Sequence, residues 1–188
     1  MISTRRTERF GIQHPIICAP MAYVTGGALA AAVSRTGGLG IVGGGYADTV
    51  GGEPDLETEL AQAKSGKFGV GFITWALERA PKMLTKALNY SPFCVFLSFG
   101  DPSPFAAEIA EARAVLTCQV QFLSQIEVAV KAGAAAVVVQ GTEAGGHGAS
   151  RSTFPFVPEA ADYLKEHSPE TLLLAAGGIA DGRDSQQP

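Results

Sequence analysis

One histidine stands in a glycine-rich loop that directly follows an apolar run of the chain. The loop comprises residues 141–148 and carries His147 between Gly146 and Gly148. Glycines allow a backbone to turn sharply and to approach a flat or phosphorylated ligand closely, because no Cβ intervenes. An imidazole titrates near neutrality, so it can take a proton from a weakly acidic carbon or hold an anion. The loop is therefore a candidate active site, and a polar residue in a solvated turn is the alternative that the local pattern leaves open.

The element that must position this loop is the apolar run just before it, residues 135–139. Its three consecutive valines are typical of a strand in a parallel sheet, which is buried on both faces and therefore loses the polar alternation. Six other apolar runs predict further strands, at residues 15–19, 39–42, 68–73, 93–97, 115–120 and 171–176. The strand before the histidine loop is thus the sixth of seven.

Helix-forming segments separate the predicted strands, at residues 28–34, 53–64, 81–88, 104–112, 124–132 and 158–167. In one of them Ser124 and Glu127 have the spacing of a capping box, which predicts that the helix begins at Ser124. This alternation implies βαβ crossovers and a parallel sheet, and seven units without a break in composition favour a TIM-type (β/α)8 barrel over an open sheet. Because there is no linker, residues 1–188 are expected to form a single barrel domain.

Charge and cysteine usage argue against several classes of function. The chain has 14 Lys and Arg against 18 Asp and Glu, and its basic residues are scattered, so no nucleic-acid partner is expected. Cys18, Cys94 and Cys118 are far apart in apolar runs, which argues against a metal site or a disulfide framework. There is neither an apolar run of ~18 residues nor a signal-peptide core, so no membrane is expected and a cytoplasmic location is predicted.

A glycine pair, Gly177 and Gly178, ends the seventh predicted strand. In (β/α)8 barrels the ligand lies at the C-terminal face, and the loops after the last two strands commonly bind phosphate. The pair therefore predicts a phosphate contact, with a tight turn as the alternative.

Five motifs taken together resemble one family, the nitronate monooxygenases, formerly called 2-nitropropane dioxygenases. They are Ala-Pro-Met at residues 19–21, Leu-Ser-Phe-Gly at 97–100, Cys-Gln-Val-Gln at 118–121, the run at 140–148 and the glycine-pair motif at 175–183. The likeness extends over nearly the whole chain to Arg183. It implies an FMN-dependent barrel enzyme that oxidises alkyl nitronates with dioxygen to carbonyl compounds and nitrite.

The resemblance also implies roles for individual residues. His147 would be the catalytic base or the group that positions an anion near the flavin N5. Contacts to FMN are implied for nine residues, Pro20, Met21, Thr74, Gln119, Gln140, Gly145, Gly146, Gly177 and Gly178, of which Thr74 is the loosest match. The proline and methionine would lie under the isoalloxazine ring, Gln119 would hydrogen-bond its polar edge, and the loop glycines would let the backbone reach it. The last two glycines would offer N–H groups to the phosphate.

The chain departs from the family pattern after Arg183. Relatives continue with a helix and an eighth strand that completes the phosphate site, whereas residues 184–188 form a divergent tail here. The expectation is a C-terminally truncated barrel of about seven strands, which holds FMN weakly and associates or aggregates through uncovered strand edges. Two alternatives stay open, another FMN-barrel oxidoreductase of the enoyl-thioester reductase type and a non-catalytic paralogue.

Overall fold

Six parallel strands form one sheet in which each strand pairs with the next strand of the chain. The computed structural model describes residues 3–45 and 55–179. The strands are β1 (Gly40–Gly43), β2 (Phe68–Ile73), β3 (Cys94–Ser98), β4 (Val115–Val120), β5 (Ala136–Gln140) and β6 (Leu172–Ala176), in that order across the sheet. Parallel neighbours joined in consecutive order wind in one direction, as the sheet of a barrel does. The predicted α/β class is therefore confirmed, and the described residues form an incomplete barrel.

The helices follow the predicted alternation with shifted bounds. They are α1 (Arg5–Phe10), α2 (Gly27–Arg35), α3 (Leu56–Ala63), α4 (Thr74–Leu77), α5 (Lys82–Leu88), α6 (Ser103–Glu111), α7 (Leu123–Lys131) and α8 (Thr153–His167). The short helices α1 and α4 were not predicted. Helix α8 begins before the predicted residue 158, so Pro158 lies inside the helix, where its missing N–H removes one i→i−4 hydrogen bond. The first two residues of the helix predicted at 53–64 and the tail at 184–188 lie outside the described residues.

The capping box predicted at Ser124 is wrong, because α7 already begins at Leu123. The cap comes instead from Gln125, whose side-chain Oε1 accepts a hydrogen bond from the backbone N–H of Gln121 at 2.7 Å. Glu127 pairs with Lys131 one turn further on, at 2.6 Å. An amide side chain thus satisfies the N-terminal backbone in place of the predicted serine hydroxyl.

The first predicted strand is shorter than expected. Residues 15–19 contribute a single parallel bridge, between Ile17 and Leu39. Two backbone hydrogen bonds hold it, from Cys18 N to Leu39 O at 2.9 Å and from Leu39 N to Ile16 O at 3.1 Å. Pro15 and Pro20 bracket this segment and have no N–H group to donate, which limits the ladder to the residues between them.

The sheet separates two apolar layers, because successive strand residues point to opposite faces. Leu97 belongs to the outer layer between the sheet and the helices, whereas Phe96 belongs to the inner layer that fills the barrel. Phe10 of α1 joins the inner layer and contacts Phe93, which precedes β3, with ring centroids 5.9 Å apart. The amino-terminal end of the barrel is therefore packed with apolar side chains, and the open face is the one at the carboxyl ends of the strands.

The segment after the bridge crosses the carboxyl ends of β1 and β2. The Pro20 ring packs directly on Gly71 of β2, where an added Cβ would overlap the ring. An added Cβ on Gly43 of β1 would come 2.7 Å from the carbonyl carbon of Met21. Both strands therefore need glycine here for the chain to pass over them.

Replacing Gly71 by alanine tests this packing. We expect Gly71→Ala to lower the free energy of unfolding by about 1–3 kcal/mol, because the new methyl group forces Pro20 off the strand. Urea denaturation without added FMN measures the change. Gly145→Ala is the matched control, since no described atom lies within 4 Å of its added Cβ, and it should change stability by less than about 0.5 kcal/mol. Equal stabilities of the two variants would contradict the packing.

Candidate active site

Most of the predicted site residues meet at the carboxyl ends of the strands. Pro20 lies over β2, Gln119 is on β4, Gln140 ends β5, and Gly177 directly follows β6. His147 lies in the loop between β5 and α8. Parallel strands bring their carboxyl ends to one edge, so side chains far apart in the sequence line a single mouth.

Thr74 stands apart from this group. It is the first residue of α4 and is fully buried, with Gly100 packed against its side chain so that an added Cβ would come 2.8 Å from Thr74 Cβ. Its hydroxyl has no hydrogen-bond partner within residues 3–45 and 55–179. A buried hydroxyl of this kind is a polar atom that a ligand or an ordered water can satisfy.

Three glutamine side chains form a hydrogen-bond network at the centre of the mouth. Gln140 is buried, and its Oε1 accepts from Gln119 Nε2 at 2.5 Å and from Gln121 Nε2 at 2.9 Å. Its Nε2 donates to the carbonyl oxygen of Gly145 at 3.2 Å. Gln121 Nε2 also donates to the carbonyl oxygen of His147 at 3.0 Å. The network therefore fixes the backbone of the histidine loop at two points.

This network changes the reading of two residues. The Gln140 side chain, predicted to contact the cofactor, uses its nitrogen to hold the loop and its oxygen to hold the other two glutamines. Gln121 was quoted in a motif but not predicted as a site residue, although its side chain donates to the carbonyl oxygen of His147. The two-residue period of a strand could have identified it, because Gln121 follows Gln119 on the same face at the end of β4.

Glu143 is a second residue that the sequence analysis missed. Its carboxylate accepts hydrogen bonds from the hydroxyl of Ser152 and from the backbone N–H and hydroxyl of Thr153, both of the latter at 2.8 Å. Ser152 is the N-cap of α8 and Thr153 its first residue, so the carboxylate caps this helix. These bonds, the Ser152 hydroxyl first and then Thr153, lower the pKa of Glu143 to about 2. The first half of the loop is therefore anchored to α8 by an ionised side chain.

The glycine turn after β6 packs on the anchored half of the loop. Gly177 has φ +106° and Gly178 has φ +76°, which are left-handed values that favour glycine. An added Cβ on Gly177 would come 2.6 Å from Ala144 N, and one on Gly178 would come 3.3 Å from Glu143 Cβ. The Ala176 carbonyl accepts from Gly141 N at 3.1 Å. The predicted phosphate turn and the histidine loop are thus in direct contact.

The second half of the loop presents the histidine at the surface of the mouth. His147 is exposed, and its ring lies 5.3 Å from the Phe99 ring, centroid to centroid, at an interplanar angle of 56°. Cβ atoms added to Gly145, Gly146 or Gly148 would meet no described atom within 4 Å. A flat ligand can therefore approach the backbone on either side of the imidazole.

The two buried cysteines, Cys94 and Cys118, take no part in this chemistry. Burial raises the pKa of both Cys94 and Cys118 to about 12, so neither forms a reactive thiolate near neutral pH. In the described part of the chain, no three histidine, cysteine, aspartate or glutamate residues are grouped so that they could hold a metal ion.

The anchor at Glu143 predicts a pH dependence of stability. Its pKa falls from 4.5 to about 2 in the folded chain, so the carboxylate stabilises the fold above about pH 4.5 and this contribution is lost as the pH falls towards 2. We expect Glu143→Gln to unfold at a lower urea concentration than the native chain at pH 7, and the difference to shrink at pH 3.

Glu166→Gln is the matched control, because it removes the same charge near the other end of α8. A carboxylate is unfavourable at a helix C-terminus, so this change should be neutral or stabilising. A difference between Glu143→Gln and the native chain that stays constant from pH 7 to pH 3 would contradict the anchor.

Comparison with known proteins identifies one matching family and several relatives. The family model described as nitronate monooxygenase matches residues 3–67 and 73–186. A nitronate monooxygenase of Neurospora crassa is 33% identical, with 89% of this chain aligned to 54% of that protein. Nitronate monooxygenase npaC of Metarhizium robertsii is 38% identical, with 89% of this chain aligned to 52% of that protein.

The structure is also similar to that of FabK from Thermotoga maritima. The TM-score is 0.85 at 30% sequence identity, and the alignment covers 98% of this chain and 57% of that one. The chain therefore spans a little more than half the length of the relatives that it matches. Its barrel order, its histidine loop and the match of the family model over most of its length agree, and the chain belongs to the nitronate monooxygenase family.

Proposed function

We propose that this chain forms the FMN-binding and proton-handling part of an enzyme that oxidises alkyl nitronates with dioxygen to carbonyl compounds and nitrite. Enzymes of this family depend on FMN. The observation that carries the proposal is the histidine loop, which two glutamines and one glutamate hold at the mouth of the barrel while its imidazole stays exposed.

The residues of the mouth fit FMN. The backbone of Gly145, Gly146 and Gly148 has open space where side chains would stand, so a flat ring can lie against it. Pro20 and Met21 form the opposite side, and Met21 is 41% exposed. The left-handed turn at Gly177 and Gly178 supports a phosphate contact, because successive backbone N–H groups in such a turn can converge on an anion. Gln119, whose Nε2 donates to Gln140, would present its amide to the polar edge of the ring, whereas the Thr74 hydroxyl is fully buried and has no partner among the described residues.

FMN and the side chains of the mouth would have separate roles in the reaction. FMN, when bound, supplies the electron acceptor of the oxidation. His147 removes the proton from the α-carbon of a neutral nitroalkane, or holds the negative charge of a nitronate once that proton is gone. Gln121 and Gln140 keep the imidazole in place through the carbonyl groups of His147 and Gly145. Preorganisation of this kind limits the reorganisation needed when the substrate arrives.

Other expectations stay predictions. In the part of the chain that the structure describes, no helix is long and apolar enough to cross a membrane. We propose that residues 1–188 act as one barrel domain on a small molecule and dioxygen in the cytoplasm, with no nucleic-acid partner. Association through strand edges also remains a prediction, and light scattering at micromolar concentration measures it.

The test of the proposed function is His147→Asn. Asparagine keeps a polar side chain of similar reach but cannot act as a base, so nitrite release from 2-nitropropane should fall by at least about 10²-fold. FMN affinity, measured by quenching of flavin fluorescence, should change by less than about threefold, because the proposed FMN contacts come from other residues.

His167→Asn is the matched control. His167 ends α8 and stacks on Tyr163 with ring centroids 4.2 Å apart, so its loss should leave nitrite release unchanged. Native turnover in His147→Asn would overturn the catalytic role. If the native chain binds FMN but consumes NADPH with an enoyl thioester and releases no nitrite from a nitronate, the reductase alternative replaces the proposal.

A further inference from the structure

Phe99 faces the histidine although the strand pattern directs it elsewhere. In β3, Phe96 lies in the inner layer and Leu97 in the outer layer, and Ser98 points inward, where its hydroxyl donates to Gln119 Oε1 at 3.5 Å. Alternation would therefore turn the next side chain outward, towards the helices. The Phe99 ring is instead 5.3 Å from the His147 ring.

The backbone of Phe99 explains this placement. Its φ is +63°, in the left-handed region that bulky L residues seldom adopt. This conformation ends β3, which closes at Ser98, and turns the ring back over the mouth. Strained backbone of this kind persists where the surrounding structure enforces it, and it is concentrated at functional sites.

Two of the contacts of His147 act on different parts of the residue. Gln121 holds the carbonyl of His147, so that bond acts on the backbone, whereas the contact with Phe99 acts on the ring itself. The flanking glycines carry no side chains, and open space surrounds their added Cβ positions among the described residues. The tilted Phe99 ring is an aromatic surface in direct contact with the imidazole.

We propose that Phe99 is a positioning residue, whose strained backbone places its ring against His147 and thereby fixes the orientation of the imidazole over the mouth. The inference rests on the proposed role of His147 for its catalytic consequence. The ring contact and the backbone strain do not depend on that role, because both can be measured without FMN or substrate.

The contact is tested by the imidazole resonances in 1H–13C spectra. The chain has three histidines, so His147 is assigned by the signal that His147→Asn removes. Phe99→Leu should move this signal and remove its cross-peaks to an aromatic ring, whereas Phe99→Tyr should retain both. Phe122→Leu, which removes an exposed aromatic ring that follows the end of β4, is the control and should leave the signal in place. An unchanged His147 signal in Phe99→Leu would overturn the proposal.

The strain is tested by comparing glycine with alanine at the same position. Both substitutions remove the ring, but only glycine adopts a positive φ without strain, so Phe99→Gly should melt about 2–4 °C above Phe99→Ala. At Phe154, an exposed residue within α8, the order should reverse, because glycine disfavours a helix. A melting temperature of Phe99→Gly that is equal to or below that of Phe99→Ala would contradict the inferred backbone strain.

Turnover supplies the readout for positioning. Nitrite release should fall about 10–100-fold in kcat/KM for Phe99→Leu and stay within about twofold for Phe99→Tyr, because misplacing a catalytic group by about 1 Å is enough for such a loss. Native turnover in Phe99→Leu together with a displaced His147 signal would overturn the positioning role. Failure of the proposed function would appear separately, as native turnover in His147→Asn.

Discussion

The candidate site depends on one buried amide. Gln140 ends β5 at the point where the barrel interior opens, and burial there makes each of its polar atoms costly to leave without a partner. Its oxygen accepts hydrogen bonds from the side chains of Gln119 and Gln121, and its nitrogen donates to the carbonyl oxygen of Gly145. Because a flexible glycine loop cannot satisfy these groups unless it folds back over the strand, the amide selects one loop conformation.

A second constraint acts from the other side of the loop. Glu143 caps α8, and the turn at Gly177 and Gly178 packs on the capped segment. The loop that carries His147 is thus held between the ends of β5 and β6 and the start of a helix. If an anion binds at the glycine turn and moves it, the histidine loop would move as well, because the two segments are in direct contact. The arrangement gives a physical basis for linking the proposed anion contact to the position of His147.

Sequence patterns predicted the parts of the structure that burial controls. The valine run of β5 and the alternation of strands and helices predicted the α/β barrel class, because strands buried on both faces are continuously apolar and parallel neighbours need a helical crossover. The first strand was overestimated, since the two prolines that bracket it restrict hydrogen bonding in a way that apolar composition does not reveal. Capping was misassigned at Ser124 for a similar reason, because the choice of Gln125 as the cap depends on side-chain geometry.

Sequence motifs predicted which residue types lie at the mouth of the barrel but not the contacts between them. The histidine, the loop glycines and Gln119 were identified from the motifs. Glu143 and Gln121 were missed, because their roles arise from contacts across 10 and 26 residues of the chain, to Thr153 and His147. The contact of Phe99 with the histidine was also missed. Strand alternation predicts that Phe99 points towards the helices, and this rule fails where the backbone becomes left-handed.

The central claim is that a buried, fully engaged Gln140 fixes the histidine loop, and the side-chain amide signals of 15N-labelled protein test it most directly. The Gln140 signal, identified by its loss in Gln140→Leu, should be shifted away from that of free glutamine and protected from exchange with water. The exposed Gln62 provides the reference within the same spectrum. A Gln140 amide that coincides with free glutamine and exchanges as fast as Gln62 would contradict the account.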